Sequence, residues 1–380
     1  MKPEQLPIYQ HKDDILKAVR ENQVVVIESP TGSGKTTQIP KIMFDAGMAD
    51  GGMIGVTQPR RIAAVSVSHY IARQYNSPIP GVVGYKMRFV DETVPETSIA
   101  VMTDGILLQE VKADPYLSKY SVIMVDEAHE RSLNIDFILG LLKGILRERK
   151  DLKGVISSAT INASVFSEYF DECPALNIDA RMYPVEVRYE PPEFLHDFTS
   201  MLDKIVEIVR SIQKESKPGD VLIFLSGEGQ IKDCIAALSG INRDRSMELL
   251  PLYGRLSQQE QERVFEEFPG KRKVVVATNI AETSVTIDGV RHVIDPGFAK
   301  LNFYNQKNFT SSLIEVPTSR ASCNQRKGRA GRTAPGVCYR LYTEEDFNER
   351  ELFTTEEIFR TDLSEVVIRM AELGIKDFEK

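Results

Sequence analysis

The stretch VVVIESPTGSGKTTQIP, residues 24–40, decides the fold. Its β-branched apolar start predicts a buried strand, and a turn containing Gly32 and Gly34 leads into a predicted helix. Glycine lets such a turn curl so that successive backbone N–H groups point at one anion, and the start of the helix adds its positive dipole end. The stretch therefore predicts a binding site for the phosphates of a nucleoside triphosphate.

Side chains of this loop are expected to complete the phosphate site. Lys35 can reach the β- and γ-phosphates, and the Thr36 hydroxyl can hold Mg²⁺. One departure from the usual G-x-x-x-x-G-K-[ST] pattern is Ser29, which stands where that pattern has its first glycine. The residues expected to bind the nucleotide here are Thr31, Gly32, Ser33, Gly34, Lys35, Thr36 and Thr37.

Composition limits the classes of protein. A chain of 380 residues has room for two ordinary domains. No apolar run approaches the ~20 residues of a membrane span, and the N-terminus lacks the apolar core of a secretory signal. Four cysteines lie far apart without a C-x-x-C pair, which argues against zinc and disulfides and suits a reducing cytosol. We therefore expect a cytoplasmic protein without membrane association.

The net charge bears on nucleic-acid binding. At −8 the chain has no overall basic field that would attract a polyanion. Any contact with nucleic acid must then come from local arginines and backbone amides.

Apolar strands alternate with helices in two halves of the chain, which is typical of βαβ units and parallel sheets. This predicts an α/β fold with two tandem domains. Residues 299–316 predict an antiparallel hairpin, and residues 343–380 predict mostly helix. The predicted strands are residues 24–27, 53–57, 99–102, 122–125, 154–157, 221–225, 249–253, 273–277 and 290–294.

Asp126 and Glu127 directly follow the apolar strand 122–125. Ligands bind at the carboxyl edge of parallel α/β sheets, and in phosphate-loop enzymes an acidic residue at a neighbouring strand end completes the Mg²⁺ site. We expect Asp126 to hold the metal, directly or through water, and Glu127 to orient or deprotonate the attacking water. The alternative is a helix N-cap with an acidic first turn.

The stretch QRKGRAGR, residues 325–332, carries four basic residues within eight. Arg329 and Arg332 are three apart, so on a helix they would point the same way. Guanidinium groups offered to a γ-phosphate stabilise the charge of the transition state. Gly328 and Gly331 are unfavourable inside an exposed helix, which suggests close approach of another group. The alternative is a solvated basic face.

A looser set of residues suits phosphodiester contacts, which position a strand without reading its bases. Each has an ordinary alternative as a salt bridge, cap or turn residue. In the predicted hairpin, aromatic side chains at 303, 304 and 309 could stack on bases or pack on their own domain. The residues expected to contact nucleic acid are Arg60, Arg61, Arg88, Thr103, Thr278 and Asn279.

Together these stretches resemble the DEAH-box/RHA family of superfamily 2 helicases, in order and spacing over roughly residues 6–375. The matching strings are SPTGSGKTTQIP (29–40), TQPRRIAA (57–64), TDGILL (103–108), DEAHERS (126–132), SAT (158–160), FLSGEGQI (224–231), ATNIAETSVTIDG (277–289), DPGFAK (295–300) and QRKGRAGR (325–332).

The resemblance implies two RecA-like domains, residues 1–180 and 181–355, followed by the helical start of a winged-helix region at 356–380. It also implies an ATP-dependent helicase that hydrolyses the β–γ phosphoanhydride, accepts several nucleoside triphosphates and uses Mg²⁺. Residues that it places on the γ-phosphate from the second domain are Gln325, Arg329 and Arg332.

The remaining nucleotide contacts are also implied by the resemblance. Asp288 matches the ribose contact, and Phe298 matches one face of the base sandwich. Tyr70 occupies the position of the arginine that family members use for the other face, which puts the stacking geometry and base preference at this position in question. The residues that would couple the nucleotide state to domain closure are His129, Ser158 and Thr160.

By the same resemblance, the protein is expected to move 3′→5′ on single-stranded RNA and to unwind duplexes or remodel ribonucleoproteins. A translocase without unwinding, a nucleotide-dependent RNA clamp and a DNA-acting helicase are the alternatives. Single-stranded or partly duplex RNA is the expected partner, and a monomer is expected. Family members continue beyond the position of Lys380, so poor processivity is expected and G-patch-type activators are not.

Overall fold

A computed structural model describes residues 4, 6–159, 163–180, 182–283 and 285–377. The chain forms two compact units. The first unit contains Met1–Arg181, Gln306–Asn308 and Glu356–Lys380, and the second contains Met182–Asn305 and Phe309–Thr355.

The first unit is built on an eight-stranded sheet with helices on its faces. Its strands are β1 (Val24–Glu28), β2 (Met53–Gln58), β3 (Val83–Met87), β4 (Val90–Glu92), β5 (Ile99–Thr103), β6 (Tyr120–Val125), β7 (Lys153–Ser158) and β8 (Ala175–Asn177). Its helices up to β8 are α1 (Pro7–Gln10), α2 (Lys12–Glu21), α3 (Lys35–Asp45), α4 (Arg61–Gln74), α5 (Asp104–Ala113), α6 (Leu133–Glu148) and α7 (Ala163–Tyr169).

The strand order of this sheet is β4-β3-β5-β2-β6-β7-β1-β8, and every neighbouring pair except β3 and β4 is parallel. The inner strands are rich in β-branched residues that are buried on both faces, as parallel sheets require. The carboxyl ends of β1, β2, β5, β6 and β7 therefore meet at one edge. This confirms the predicted α/β class.

The stretch from residue 82 to residue 90 does not form one continuous strand. β3 ends at Met87, the chain turns at Arg88 and Phe89, and β4 returns antiparallel. Phe89 has φ of +67°, a left-handed conformation that sequence periodicity does not reveal. Arg88 consequently lies at the tip of a hairpin.

The second unit contains the strands β9 (Val185–Tyr189), β10 (Asp220–Phe224), β11 (Met247–Leu252), β12 (Arg272–Ala277), β13 (Val290–Asp295), β14 (Phe298–Asn305), β15 (Thr310–Pro317) and β16 (Gly336–Arg340). All of them except β14 and β15 form a fully parallel six-stranded sheet in the order β11-β12-β10-β13-β16-β9. Its helices are α8 (Phe198–Lys214), α9 (Glu228–Ile241), α10 (Gln258–Glu262), α11 (Arg320–Gly328) and α12 (Glu344–Glu349).

Two features of the second unit follow from its sequence. Strands β14 and β15 form the predicted antiparallel hairpin. Pro251 lies within β11 and is tolerated because β11 is an edge strand, where a missing N–H breaks no ladder on the outer side. The opposite edge strand, β9, carries the ion pair between Glu186 and Arg188 at 2.8 Å.

The C-terminal segment groups with the first unit rather than forming a third body. Its helix α13 (Leu363–Glu372) buries Val366 in the apolar cluster that contains Leu139 and Leu142 of α6. Glu357 accepts a hydrogen bond of 2.7 Å from the Leu133 N–H. A carboxylate at the first turn of α6 also interacts favourably with the helix dipole. Among the described residues, no helix combines the length and apolar character needed to cross a membrane.

Candidate functional site

The loop between β1 and α3 has the backbone shape of a phosphate cradle. Gly32 and Gly34 have φ of +87° and +92°, in the left-handed region that favours glycine. A Cβ on Gly34 would lie 2.9 Å from a terminal side-chain carbon of Leu6, which can shift, so it is the backbone conformation that requires glycine there. Gly34 is also the N-cap of α3, and the first N–H groups of a helix have no intrahelical partner, which suits them to an anion.

Lys35 and Ser29 close the loop on itself. Lys35 is 3% exposed, and its Nζ donates a hydrogen bond of 3.1 Å to the Ser29 carbonyl. The Ser29 N–H donates to the Ser158 carbonyl at 3.0 Å, which ties the loop to the end of β7. The buried hydroxyls of Thr31 and Ser33 have no hydrogen-bond partner in the described part of the chain. Buried polar atoms left without partners are expected where a ligand supplies the missing contacts.

Asp126 lies beside Thr36, as the metal prediction requires. Its Oδ2 accepts two hydrogen bonds, one of 2.6 Å from the Thr36 hydroxyl and one of 2.7 Å from Gln58 Nε2. Its Oδ1 is buried and has no hydrogen-bond partner among the described residues. A free carboxylate oxygen next to a hydroxyl matches the oxygen ligands that Mg²⁺ prefers, so these residues fit a magnesium ion.

Glu127 is held in a strained and buried position. It is 3% exposed and has φ of +55°, which a glutamate rarely adopts. Its Oε2 lies 3.3 Å from His129 Nε2. Non-glycine residues in this conformation cluster at functional sites, where the surrounding structure compensates for the strain.

Thr37, the last loop residue predicted to bind nucleotide, lies in the first turn of α3 with its hydroxyl near the Gly34 carbonyl at 3.4 Å.

His129 connects two of the predicted segments. Its Nδ1 accepts a hydrogen bond of 3.1 Å from the Ala159 N–H, which leaves the ring proton on Nε2, facing Glu127. Burial, assisted by the charge of Lys35, lowers the pKa of His129 to about 4, so the ring is neutral near pH 7. Ser158 is buried, and its hydroxyl donates to the Ala159 carbonyl at 2.9 Å. Thr160 lies outside the described residues.

The predicted nucleic-acid contacts of the first unit occupy the same sheet edge or its surroundings. Arg60 makes an ion pair of 2.7 Å with Glu130, so the salt-bridge alternative applies to it. Arg61 is exposed at the start of α4, and Thr103 is half-buried at the end of β5. Arg88 is exposed at the hairpin tip, with its guanidinium 4.8 Å from the centre of the Phe89 ring.

In the second unit, the helix on which Arg329 and Arg332 would point the same way does not form. Helix α11 ends at Gly328, and Arg329–Gly331 forms a 3₁₀ turn, so the same-face argument for Arg329 and Arg332 does not apply. Arg329 is 7% exposed and donates from Nε to the Glu282 carbonyl at 2.7 Å. Gln325 is half-buried on α11, and its Nε2 has no hydrogen-bond partner within the described ranges.

The close approach expected at the two glycines occurs at one of them. A Cβ on Gly331 would lie 2.5 Å from the Tyr183 carbonyl oxygen, so the neighbour is the chain's own backbone. A Cβ on Gly328 would meet nothing within 4 Å, which contradicts the expectation for that residue.

The remaining predicted residues are placed separately by their elements. Arg332 Nη1 lies 3.4 Å from Asp288 Oδ1, and the Asp288 side chain is largely exposed. Phe298 is half-buried at the start of β14, and Tyr70 is 36% exposed on α4. Thr278 and Asn279 are half-buried directly after β12.

Several supporting residues were not identified from the sequence. Arg326 belongs to a basic run in the sequence, yet its side chain is fully buried between Glu282 at 2.9 Å and Asp295 at 2.8 Å. Gln58 and Glu130 lie within conspicuous motifs, but nothing in the local sequence indicates a role for either. The alternation of motifs with strands was the available signal, but the strand order that makes Gln58 a neighbour of Asp126 is invisible in the chain.

Two protein-family models match parts of the chain. The DEAD/DEAH box helicase family model matches residues 9–168, and the model of the helicase conserved C-terminal domain matches residues 200–334. The ATP-dependent RNA helicase HrpA of Borreliella burgdorferi is 53% identical over 374 residues, which are 98% of this chain and 45% of that protein. HrpA of Escherichia coli is 49% identical over 377 residues, 99% of this chain and 29% of that protein.

A solved structure adds the fold. The crystal structure of the Escherichia coli DEAH/RHA helicase HrpB matches with a TM-score of 0.90 at 34% identity, over 98% of this chain and 47% of that one. The chain spans less than half the length of each of these relatives. On the strength of the two family models, the relatives and the shared fold, the chain belongs to the DEAH-box helicases of superfamily 2.

Proposed function

We propose that this chain hydrolyses ATP and other nucleoside triphosphates at the β–γ phosphoanhydride and that RNA stimulates the reaction. The observation that carries the proposal is Asp126, whose Oδ2 is held by Thr36 and Gln58 while its Oδ1 has no hydrogen-bond partner among the residues that the structure describes. That arrangement lies beside a glycine loop shaped for phosphates. The HrpA relatives are named as ATP-dependent RNA helicases, which supports the same activity.

In this mechanism the first unit binds and orients the triphosphate. The N–H groups of the loop and Lys35 hold the phosphate oxygens, and Thr36 with Asp126 would hold Mg²⁺. When bound, Mg²⁺ neutralises charge that develops on the β- and γ-phosphate oxygens. Glu127 takes a proton from the attacking water, and the neutral His129 ring orients the Glu127 carboxylate.

The second unit contributes charge and nucleotide contacts in this proposal. Gln325, Arg329 and Arg332 act on the γ-phosphate, where guanidinium groups stabilise the transition state. Asp288 binds the ribose and Phe298 stacks on the base. Tyr70 of the first unit provides the other stacking surface.

The proposed contacts with a nucleic-acid strand come from residues of both units. Arg61, Arg88 and Thr103 bind phosphates in the first unit, joined by Arg60 when its ion pair opens, and Thr278 and Asn279 do so in the second. Ser158 and Thr160 couple the state of the bound nucleotide to the affinity for the nucleic-acid strand. We propose movement 3′→5′ on single-stranded RNA, separation of duplexes, and action as a monomer in the cytoplasm.

Steady-state ATPase assays with and without single-stranded RNA test the proposal, with DNA of matched length at the same stated salt concentration. Stimulation by RNA is expected; equal, low turnover under all conditions indicates a clamp and would overturn it. Displacement assays with 3′ and 5′ overhangs then separate a helicase, which unwinds from the 3′ overhang, from a translocase, which unwinds neither.

A further inference from the structure

Gln58 occupies the middle of the functional edge of the first sheet. It is the last residue of β2 and is 1% exposed. Strand β2 lies between β5 and β6, so Gln58 has Thr103 as its register partner on one side and the end of β6 on the other. A residue expected to contact nucleic acid and the expected metal ligand are therefore its two flanking neighbours.

The contact between Gln58 and Asp126 decides which carboxylate oxygen is free. Gln58 Nε2 donates to Oδ2 at 2.7 Å, and the Thr36 hydroxyl donates to the same oxygen at 2.6 Å. Both donors hold Oδ2, so Oδ1 is the atom that remains for a metal or its water. An amide suits this task because it donates without carrying a charge that would compete with the metal or repel the carboxylate.

The chain continues from Gln58 into Arg60 and Arg61, which are expected to contact a nucleic-acid strand. Within the 58–61 segment, Arg60 reaches Glu130 at 2.7 Å, so this segment is joined to the loop after β6 at two points, Gln58 to Asp126 and Arg60 to Glu130. A phosphodiester that draws Arg60 or Arg61 outwards would pull on the same short backbone that holds Gln58 against Asp126.

We propose that Gln58 is a positioning residue that sets the orientation of the Asp126 carboxylate for Mg²⁺ and transmits strand binding at the 58–61 segment to it. The proposal has a metal half, that Gln58 orients the Asp126 carboxylate, and a transmission half, that Gln58 relays nucleic-acid binding to it. Only the transmission half rests on the proposed function. Outer-sphere partners of metal ligands typically affect metal affinity about 10- to 100-fold when removed, which sets the expected size.

The test replaces Gln58 by Met, which keeps an unbranched side chain of similar length and removes the donor. The matched control is Gln109→Met on the exposed face of α5. Binding of a fluorescent, non-hydrolysable ATP analogue is measured across a series of free Mg²⁺ concentrations and in EDTA. Gln58→Met should need about 10- to 100-fold more Mg²⁺ to reach wild-type affinity, with unchanged affinity in EDTA, while Gln109→Met behaves as wild type.

A second readout concerns the transmission. In Gln58→Met, the factor by which RNA stimulates the ATPase should fall while the Kd for RNA stays within about twofold of wild type. An unchanged Mg²⁺ dependence overturns the metal half, and an unchanged stimulation factor overturns the transmission half. If Gln58→Met does not fold, Gln58→Asn replaces it, since its amide is one methylene too short to reach Asp126 and should show the same Mg²⁺ shift.

Failure of the proposed function would look different. A wild-type protein whose ATPase ignores RNA removes the basis for transmission, yet the Mg²⁺ titration of Gln58→Met still decides whether Gln58 positions the carboxylate.

Discussion

Arg332 and Asp288 form an ion pair in the second unit, with Arg332 Nη1 3.4 Å from Asp288 Oδ1. The Asp288 side chain is 76% exposed, and ion pairs with such solvent access contribute about 0–1 kcal/mol. Under the proposed function, a triphosphate with its higher charge would therefore take Arg332 from Asp288 at little cost. The ion pair orients the guanidinium of Arg332 but is weak enough to break when a stronger anion approaches.

Arg332→Ala should lower kcat strongly, because arginines that stabilise the γ-phosphate transition state contribute about 10³- to 10⁵-fold in well-studied enzymes. Asp288→Ala should leave kcat within a few-fold and raise KM for ATP, because the proposed ribose contact would be lost while Arg332 stays available. Steady-state ATPase kinetics measure both. If Arg332→Ala changed only KM, its assignment to the transition state would be wrong.

Glu127→Gln should retain ATP binding and lose most turnover, because the amide has the same shape but cannot accept a proton. Equilibrium binding of a fluorescent nucleotide and single-turnover hydrolysis separate the two effects. Glu148→Gln, the same substitution at an exposed position on α6, is the control and should match wild type. Turnover that survives in Glu127→Gln would exclude this residue as the general base.

Gly331→Ala should destabilise the second unit, while Gly328→Ala should be tolerated or slightly stabilising. The first substitution places a Cβ 2.5 Å from the Tyr183 carbonyl oxygen and endangers the 2.9 Å hydrogen bond from the Tyr183 N–H to the Gly331 carbonyl. The second meets open space and gains helix propensity, about 0.5–1 kcal/mol. Chemical denaturation of both variants measures the difference, and equal stabilities would contradict the assigned contact.

Asp104→Asn should flatten the pH dependence of stability. Burial, with nearby Glu130 and Asp126, raises the pKa of Asp104 to about 7 despite the opposing effects of Thr57 and Arg60. Stability from the protonated side chain is then complete below its ordinary pKa of 3.8 and is lost as pH rises towards 7. The asparagine variant should match wild type near pH 4 and exceed it by a few kcal/mol at pH 8, on the order set by such a shift.

Thermal unfolding of wild type and Asp104→Asn between pH 4 and pH 8 checks this. The neutral His129 ring contributes in the opposite direction, since its pKa is lowered to about 4 and stability falls as pH drops below 6.5. That contribution is common to both proteins and cancels in their difference. Parallel curves for the two proteins would show that Asp104 does not titrate as inferred.

The fold class and the phosphate loop were predictable because local sequence patterns specify both. Apolar strands followed by polar clusters identify the sheet edge, and Gly32 and Gly34 identify the turn without any tertiary information. The hairpin of β14 and β15 was likewise visible in the alternation of its residues.

Other features depend on which strands become neighbours, and no local pattern contains that. The bond from Gln58 to Asp126 exists because β2 lies beside β6, and 68 residues separate the pair. Arg326 reads as one more basic surface residue, yet it is buried against Asp295 from β13. Whether an arginine is buried depends on partners that are distant in sequence. Composition alone therefore predicts an exposed Arg326, which is wrong.

The ends of the second sheet have a consequence for behaviour at high concentration. An open parallel sheet offers unpaired N–H and C=O groups along its outermost strands, and these can template addition of a strand from another copy. Here Pro251 removes a donor from one outer strand, and Glu186 with Arg188 places charge on the other. Both borders thus discourage intermolecular strand addition, which guards a unit rich in β-branched sequence against fibrous association.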